Sequence, residues 1–308
     1  MLVHCTSCPQ LNYFFYSSID FRLNVTGDIS SLKSFRYNNL LSCKQPIKRK
    51  EAMLGICVFC GIDQVQRVPE IVAYHSLVGV DRFFIYYNAN DKEISEKWHY
   101  FKSLVESRKI EFIPWYFKTR SYIDGIQTAA YNDCLYKLKD QVKWLGILDT
   151  DEYFMLTPSN PYKLLTDYLN SVETYSVVSF PTNCFAINPI NATGHFMEKC
   201  IYPSFINQWL WMADENEKRP PKSIYRTDQV TYADIHGPRG FNGSTLLVNS
   251  KDAILGHYRY PYMPYTIDGV FDGTYQRNDY YKRVYGNRIL KSLYEMGFNE
   301  NKANCKAN

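Results

Sequence analysis

The sequence predicts an α/β domain in which parallel strands are joined by helical crossovers. Three observations predict it. From residue 51 onward, short apolar runs alternate with segments whose apolar residues recur at three- and four-residue steps. The 308-residue chain is 45% hydrophobic and 21% charged, which excludes a disordered or collagen-like polymer. One apolar run ends in Asp149-Thr150-Asp151-Glu152, and sheets of this kind bind ligands at the carboxyl ends of their strands.

The elements follow in order. Leu54–Cys60 is an apolar strand. Val68, Ile71, Val72, His75 and Val78 mark an amphipathic helix that Gly79 closes. Arg82–Tyr87 is a second strand, and Asn88-Ala89-Asn90-Asp91 is a polar turn. A helix over Lys92–Ser107 leads to a third strand, Ile110–Pro114. Ile126, Ala130, Cys134 and Leu138 fall at four-residue steps on a long helix. Lys143–Leu148 is the fourth strand, delivering the acidic turn. The Asn88–Asp91 and Asp149–Glu152 turns are expected on one rim. Beyond them the patterning predicts a helix at Lys163–Leu169, a strand at Tyr175–Phe180, long loops over 181–244, a strand at Ala253–Tyr258 and a helix at Arg283–Met296.

Residues 1–50 show no sustained period and read as an extension or stem. They end in a basic run, Lys44, Lys48, Arg49 and Lys50, read as a solvated linker. Residues 51–300 form the main domain, with halves at about 51–155 and 156–300.

A net charge of 35 − 31 = +4 is too small to argue for nucleic acid. The longest uncharged apolar stretch, Ala52–Ile62, is about half of the roughly 20 residues that cross a bilayer. Membrane association is therefore expected only through an anchor not visible in this chain. Cys5/Cys8 and Cys57/Cys60 are C-x-x-C pairs, but their separation and the apolar setting of the second argue against zinc. Disulfides are expected among cysteines outside that strand. Sequons at Asn24, Asn191 and Asn242 are compatible with a secretory route.

The acidic turn carries the chemistry. Two carboxylates one residue apart repel unless a cation joins them. Oxygen ligands suit manganese or magnesium, completed by water and phosphate oxygens. Asp149 and Asp151 are thus expected to hold a metal against a nucleotide diphosphate. A P-loop, a G-x-G-x-x-G after a strand and a G-x-S-x-G elbow are all missing from the sequence. A haloacid-dehalogenase-like phosphatase places its D-x-D after the first strand, not the fourth.

Several segments together resemble glycosyltransferase family 92 and the related family-2-like transferases. They are Glu70–His75, Gly79–Tyr86, Asn88 with Asp91, Gln127 through Leu135, and Trp144 through Phe154. Gly194-His195, Lys222, His236 and His257-Tyr258 extend the match more thinly. The resemblance implies a GT-A fold, an α/β Rossmann-like mixed sheet flanked by helices with a loop-rich C-terminal acceptor half. It implies an inverting hexosyltransferase that uses manganese or magnesium to move galactose from a UDP-hexose donor to a glycan acceptor in the Golgi lumen or secretory pathway. Where the family carries a K-N-E-like segment, this chain has Gly61-Ile62-Asp63-Gln64.

Site roles follow, with alternatives. His257 is a third metal ligand or a core histidine. Asp63, Asn88 and Asp91 contact uridine or ribose, or are turn residues. Lys222 and Arg226 bind diphosphate oxygens or are loop charges. The general base for the acceptor hydroxyl is one of Glu198, Asp214, Glu215 and Asp234. Trp209, Trp211, Tyr258, Tyr260, Tyr262 and Tyr265 divide between core and a sugar-stacking wall. The rival class is a catalytically inactive glycan-binding protein that keeps the fold, cytoplasmic if no anchor or signal exists.

Overall fold

A computed structural model of the chain describes residues 13–16, 19–21, 35–37, 40–43, 52–116, 123–186, 206, 211–213, 220–258 and 275–298. Met1–Arg49 and Lys50–Asn308 are separate compact units. In the first, Tyr13–Tyr16 pairs antiparallel with Leu40–Cys43, and Ile19–Phe21 with Phe35–Tyr37. Strands this short are too brief to display a period, so the sequence pattern does not reveal them. The basic run at 44–50 lies outside the described residues.

The second unit begins with β1, Ala52–Gly61. Leu54 through Cys60 are all buried. Alternate residues feed two cores. Leu54, Ile56, Val58 and Cys60 point to one face, and Cys57 and Phe59 to the other. This double burial is why the run is continuously apolar rather than alternating. A 3-10 turn, Ile62–Arg67, leads into α1, Val68–Leu77, with Pro69 in its first turn and Gly79 at φ +99° just beyond its end. Ile71, Val72 and Tyr74 of α1 cover the first face.

β2, Arg82–Asn88, is followed by α2, Asp91–Lys97, and α3, Lys102–Glu106. A single helix was expected here. The chain instead breaks into short turns around Trp98–Phe101, where Tyr100 and Phe101 are buried, and Arg108 takes φ +57° at the end. β3 is Ile110–Pro114, α4 is Ile123–Leu138, β4 is Val142–Asp149 and β5 is Glu152–Leu156. Ile126, Ala130, Cys134 and Leu138 of α4 cover the second face of the sheet.

Then come α5, Leu165–Ser171; β6, Val177–Phe180; β7, Thr182–Ala186; β8, Trp211–Ala213; β9, Lys222–Arg226; β10, Val230–Tyr232; β11, Gly240–Phe241; β12, Thr245–Leu247; β13, Ala253–His257; β14, Tyr275–Arg277; and α6, Asn287–Glu295. The stretch expected to be loops therefore contains strands of two to five residues.

Seven strands make one mixed sheet in the order β12-β6-β9-β4-β1-β2-β3. The expected parallel core is present: β4, β1, β2 and β3 are mutually parallel, with Phe59 beside Asp149 and Gly61 beside Asn88. β9 runs antiparallel to β4 and makes the sheet mixed. Helices flank both faces, which is the expected class. A second sheet has the order β14-β8-β7-β13-β5. The chain passes from the first sheet to the second at Thr150-Asp151, between β4 and β5, and again at Pro181, between β6 and β7. The acidic turn therefore sits where the two sheets meet.

One disulfide, Cys57–Cys134, joins β1 to α4 with a Cα–Cα distance of 6.5 Å. This corrects the expectation that pairing would avoid the first strand. Cys57 faces α4, whereas Cys60 is on the other face, where burial pushes its thiol pKa up. Among the described residues no helix is long and apolar enough to cross a membrane.

Candidate active site

β4 carries Asp149 to the carboxyl end of the parallel strands, beside Phe59 and close to the ends of β1 and β2. Both oxygens of its half-buried carboxylate are held. Gln127 Nε2 donates to Asp149 Oδ1 at 2.5 Å, and the Tyr131 hydroxyl donates to the same oxygen at 3.2 Å. Both donors lie on one face of α4, four residues apart. Lys222 Nζ donates to Asp149 Oδ2 at 2.9 Å and lies 3.2 Å from Glu152 Oε2. Glu152 Oε2 in turn accepts from the Asp149 backbone N–H at 2.8 Å.

Lys222 is 1% exposed. Burial alone would lower its pKa, but the charges of Glu152 and Asp149 raise it, so the ammonium is fixed in its charged form. Glu152 is raised too, but here burial is the cause: helped by Asp149 and opposed by Lys222, it pushes the carboxyl up to about 7. Lys222 is thus a strut beneath the acidic turn and does not reach outward to a phosphate.

Asp151 occupies a second pocket of charge. Its Oδ2 is 3.2 Å from Arg67 Nη1 and 3.5 Å from His257 Nε2, and its backbone carbonyl accepts from the Tyr258 N–H at 2.7 Å. Burial would raise the Asp151 pKa, but the His257 hydrogen bond and charge, followed by Arg67, hold it at about 2. His257 is raised for the reciprocal reason, since Asp151 outweighs its burial. His257 ends β13, paired with Glu152 of β5 and Cys184 of β7. Between the two acids, the Thr150 hydroxyl is fully buried and has no hydrogen-bond partner among the described residues.

The structure brings Asp149, Asp151, His257 and Lys222 together. Asn88 ends β2, paired with Gly61. Asp91 opens α2 just past Asn90, whose side chain caps that helix by accepting from the Glu93 N–H. Asp63 lies in the 3-10 turn after β1. All three are on the same rim as Asp149.

Arg226 is not. β9 runs antiparallel to β4, so Lys222 falls near the β4 terminus while Arg226 pairs with Trp144 at the other end. There Arg226 binds Asp228, 3.0 Å away, and the Glu173 carbonyl, at 3.1 Å. Four residue steps along the strand put the two backbones about 13 Å apart, and each side chain is engaged with different partners, which argues against a shared diphosphate role.

Asp234 lies beside α4, accepting from Thr128 Oγ1 at 3.3 Å and from the Ile235 N–H at 2.8 Å, and it is ion-paired with Arg239. Both of its oxygens are engaged, which argues against a free general base. Glu198, Asp214 and Glu215 lie outside the described residues, as do Tyr260, Tyr262 and Tyr265. Tyr258 is core: it is 1% exposed, stacked on Phe185 with centroids 4.7 Å apart, and edge-on to Tyr153. His75 is also core. Its Nδ1 donates to the Ile71 carbonyl at 2.9 Å and its Nε2 accepts from the Phe154 N–H at 3.3 Å, while burial lowers its pKa to about 3.

Sequence reasoning missed Arg67, 4% exposed, because a six-residue 3-10 turn has no periodic signature. It also missed the strut geometry of Lys222. The resemblance had marked Gln127 and Tyr131 as motif positions without a role.

The model of glycosyltransferase family 92 matches residues 53–295, and the chain belongs to that family. A family 92 glycosyltransferase protein of Arabidopsis thaliana is 26% identical over 232 residues, covering 70% of this chain and 37% of that protein. One of Ricinus communis is 29% identical over 142 residues, covering 42% of this chain and 22% of that protein. The chain thus spans well under half of the length of these relatives. Among solved structures, 4-diphosphocytidyl-2C-methyl-D-erythritol synthase aligns with 10% identity and a TM-score of 0.30, over 59% of this chain and 78% of that one. The bifunctional glycosyltransferase WbbM aligns with 9% identity and a TM-score of 0.28, over 50% and 28%.

Proposed function

We propose that this chain is a metal-dependent, inverting glycosyltransferase domain that moves a hexose, galactose in the first instance, from a UDP-sugar to a hydroxyl of a glycan acceptor. The observation that carries the reading is the Asp151–His257 pair at the junction of the two sheets, one residue beyond an Asp149 locked in place by Lys222, Gln127 and Tyr131, in a chain of family 92.

The residues fit a divalent cation. Asp151 supplies a carboxylate oxygen and His257 a ring nitrogen, 3.5 Å apart. Among the described residues no group of three such side chains clusters. Manganese and magnesium sites in enzymes of this kind take one or two protein ligands and leave the rest to water and substrate phosphate. The orphaned Thr150 hydroxyl marks the same turn as lacking a partner. When bound, the cation would neutralise the diphosphate leaving group. The protein's own part is orientation. Lys222 and Glu152 fix the backbone of the turn, and α4 fixes the plane of the Asp149 carboxylate. Asp63, Asn88 and Asp91 line the rim on which a nucleoside would lie. The acceptor base is to be sought among Glu198, Asp214 and Glu215.

A secretory compartment is supported by the Cys57–Cys134 disulfide, since such bonds persist where the environment is oxidising, and by the exposed sequon at Asn242. The test is a panel of UDP-sugars with manganese and product detection. Manganese-dependent transfer that falls by about 100-fold or more in Asp151→Ala supports the reading; undiminished turnover in that variant refutes it.

A further inference from the structure

We propose that Arg67 is a positioning residue for Asp151 and also the fixed charge that limits how tightly a cation is held there. The proposal rests on the reading that Asp151 holds a divalent cation. Arg67 sits at the end of the turn that leaves β1, and α1 begins at the next residue. Its guanidinium is buried, and Nη1 lies 3.2 Å from Asp151 Oδ2, the oxygen that His257 also approaches. The partners come from sequence positions 84 residues apart and meet only because the turn after β1 and the turn after β4 share one rim.

Two consequences follow from the chemistry of the group. A guanidinium is planar and rigid, so its contact at Asp151 Oδ2 holds that oxygen in a narrower range of positions than a flexible ammonium would. It also keeps its charge at every physiological pH, so it stays a positive neighbour of any cation that Asp151 accepts. Like charges a few ångströms apart repel even with substantial screening. Arg67 therefore trades cation affinity for orientation. His257, the other group at that oxygen, is itself an expected ligand of the cation, so Arg67 is the neighbour of Asp151 that stays a fixed charge.

The test is manganese binding to the full chain, followed by electron paramagnetic resonance of free Mn2+, alongside initial transfer rates. Arg67→Gln is expected to bind manganese about three- to tenfold more tightly than the wild type, the scale of one removed charge under water-like screening, while kcat falls. Arg67→Lys is expected to keep the wild-type manganese affinity within twofold, because the charge remains, and to lose kcat, because the rigid planar donor is gone. Circular dichroism checks that each variant folds. A purely structural role would not tighten binding. Unchanged or weaker manganese affinity in folded Arg67→Gln overturns the charge argument. Wild-type kcat in Arg67→Lys overturns the positioning argument, and this variant alone still decides if Arg67→Gln does not fold. Failure of the wild type to bind manganese overturns the parent reading, and this proposal with it, and is distinguishable from both other failures.

Discussion

Replacing Lys222 with methionine keeps the length of the side chain and removes its charge. The ammonium is 1% exposed and bridges Asp149 at 2.9 Å and Glu152 at 3.2 Å. Removing one partner from a buried ion pair typically costs about 3–5 kcal/mol, because the remaining charge is left uncompensated. Here the cost depends on pH. Glu152 already titrates at about 7, raised by burial and by Asp149 against the opposing pull of Lys222; its ordinary value is 4.5.

Between those two values the native state holds a proton that the unfolded state has lost, so stability falls as pH rises through the window. In Lys222→Met the opposing pull is gone and the folded pKa climbs further, which widens the window upward. Urea unfolding of the chain without added metal, at pH 5.5 and pH 8.5, measures both effects. The expected loss is roughly 3–5 kcal/mol at pH 8.5, and distinctly less at pH 5.5, where Glu152 is protonated in both proteins. A loss below about 1 kcal/mol at pH 8.5, the scale of a surface pair, or an equal loss at both pH values, would show that the strut is not what holds the turn.

Other outcomes follow from the same structure. Cys134→Ser removes a cross-link between residues 77 apart in sequence and should lower stability by about 2–5 kcal/mol in urea. Non-reducing peptide mapping should recover Cys57 and Cys134 as one linked pair; finding both as free thiols would contradict the pairing. His75 is neutral in the fold, with a pKa near 3 against 6.5 in the open chain. The unfolded state therefore takes up a proton first as pH falls below 6.5, and stability drops by up to about 1.4 kcal/mol per pH unit. That slope, measured between pH 6 and pH 4, should flatten in His75→Gln. Arg226→Ala, at the end of β9 away from the acidic turn, should cost under about 1 kcal/mol and leave the rate of sugar transfer unchanged. A large rate loss there would mean that the donor lies across the wrong rim.

The parts of this architecture that show in the sequence are those with a long, regular pattern. β1 through β4 are apolar runs, and α1 and α4 carry three- and four-residue steps. The acidic turn is legible because β4 ends abruptly in polar residues. β5 escapes notice because Tyr153-Phe154-Met155-Leu156 is buried on both faces and too short to separate from the turn that precedes it. β9 escapes for a related reason, and its loss matters more. Without a strand there, Lys222 and Arg226 look like neighbouring loop charges. Once the strand is drawn, they are at opposite ends of it. Arg67 acts through contacts set by tertiary packing, for which one sequence carries no local signal, whereas Glu152 anchors the turn, as its place directly after the two acids suggests. Tyr258 follows His257 directly and invites a sugar-binding role, yet the strand alternation that turns His257 toward Asp151 sends Tyr258 into the core against Phe185.

The most direct measurement is transfer of a hexose from each of a panel of UDP-sugars to a glycan acceptor mixture, with manganese titrated from zero, for the wild type and Asp151→Ala side by side. The account predicts product from a UDP-hexose in the wild type, rising with manganese and falling by about 100-fold or more in Asp151→Ala. Full turnover in Asp151→Ala would contradict it. So would a folded wild type that neither binds UDP with manganese nor forms product, and glycan binding by that protein without nucleotide would establish the rival, a binding protein on the same fold.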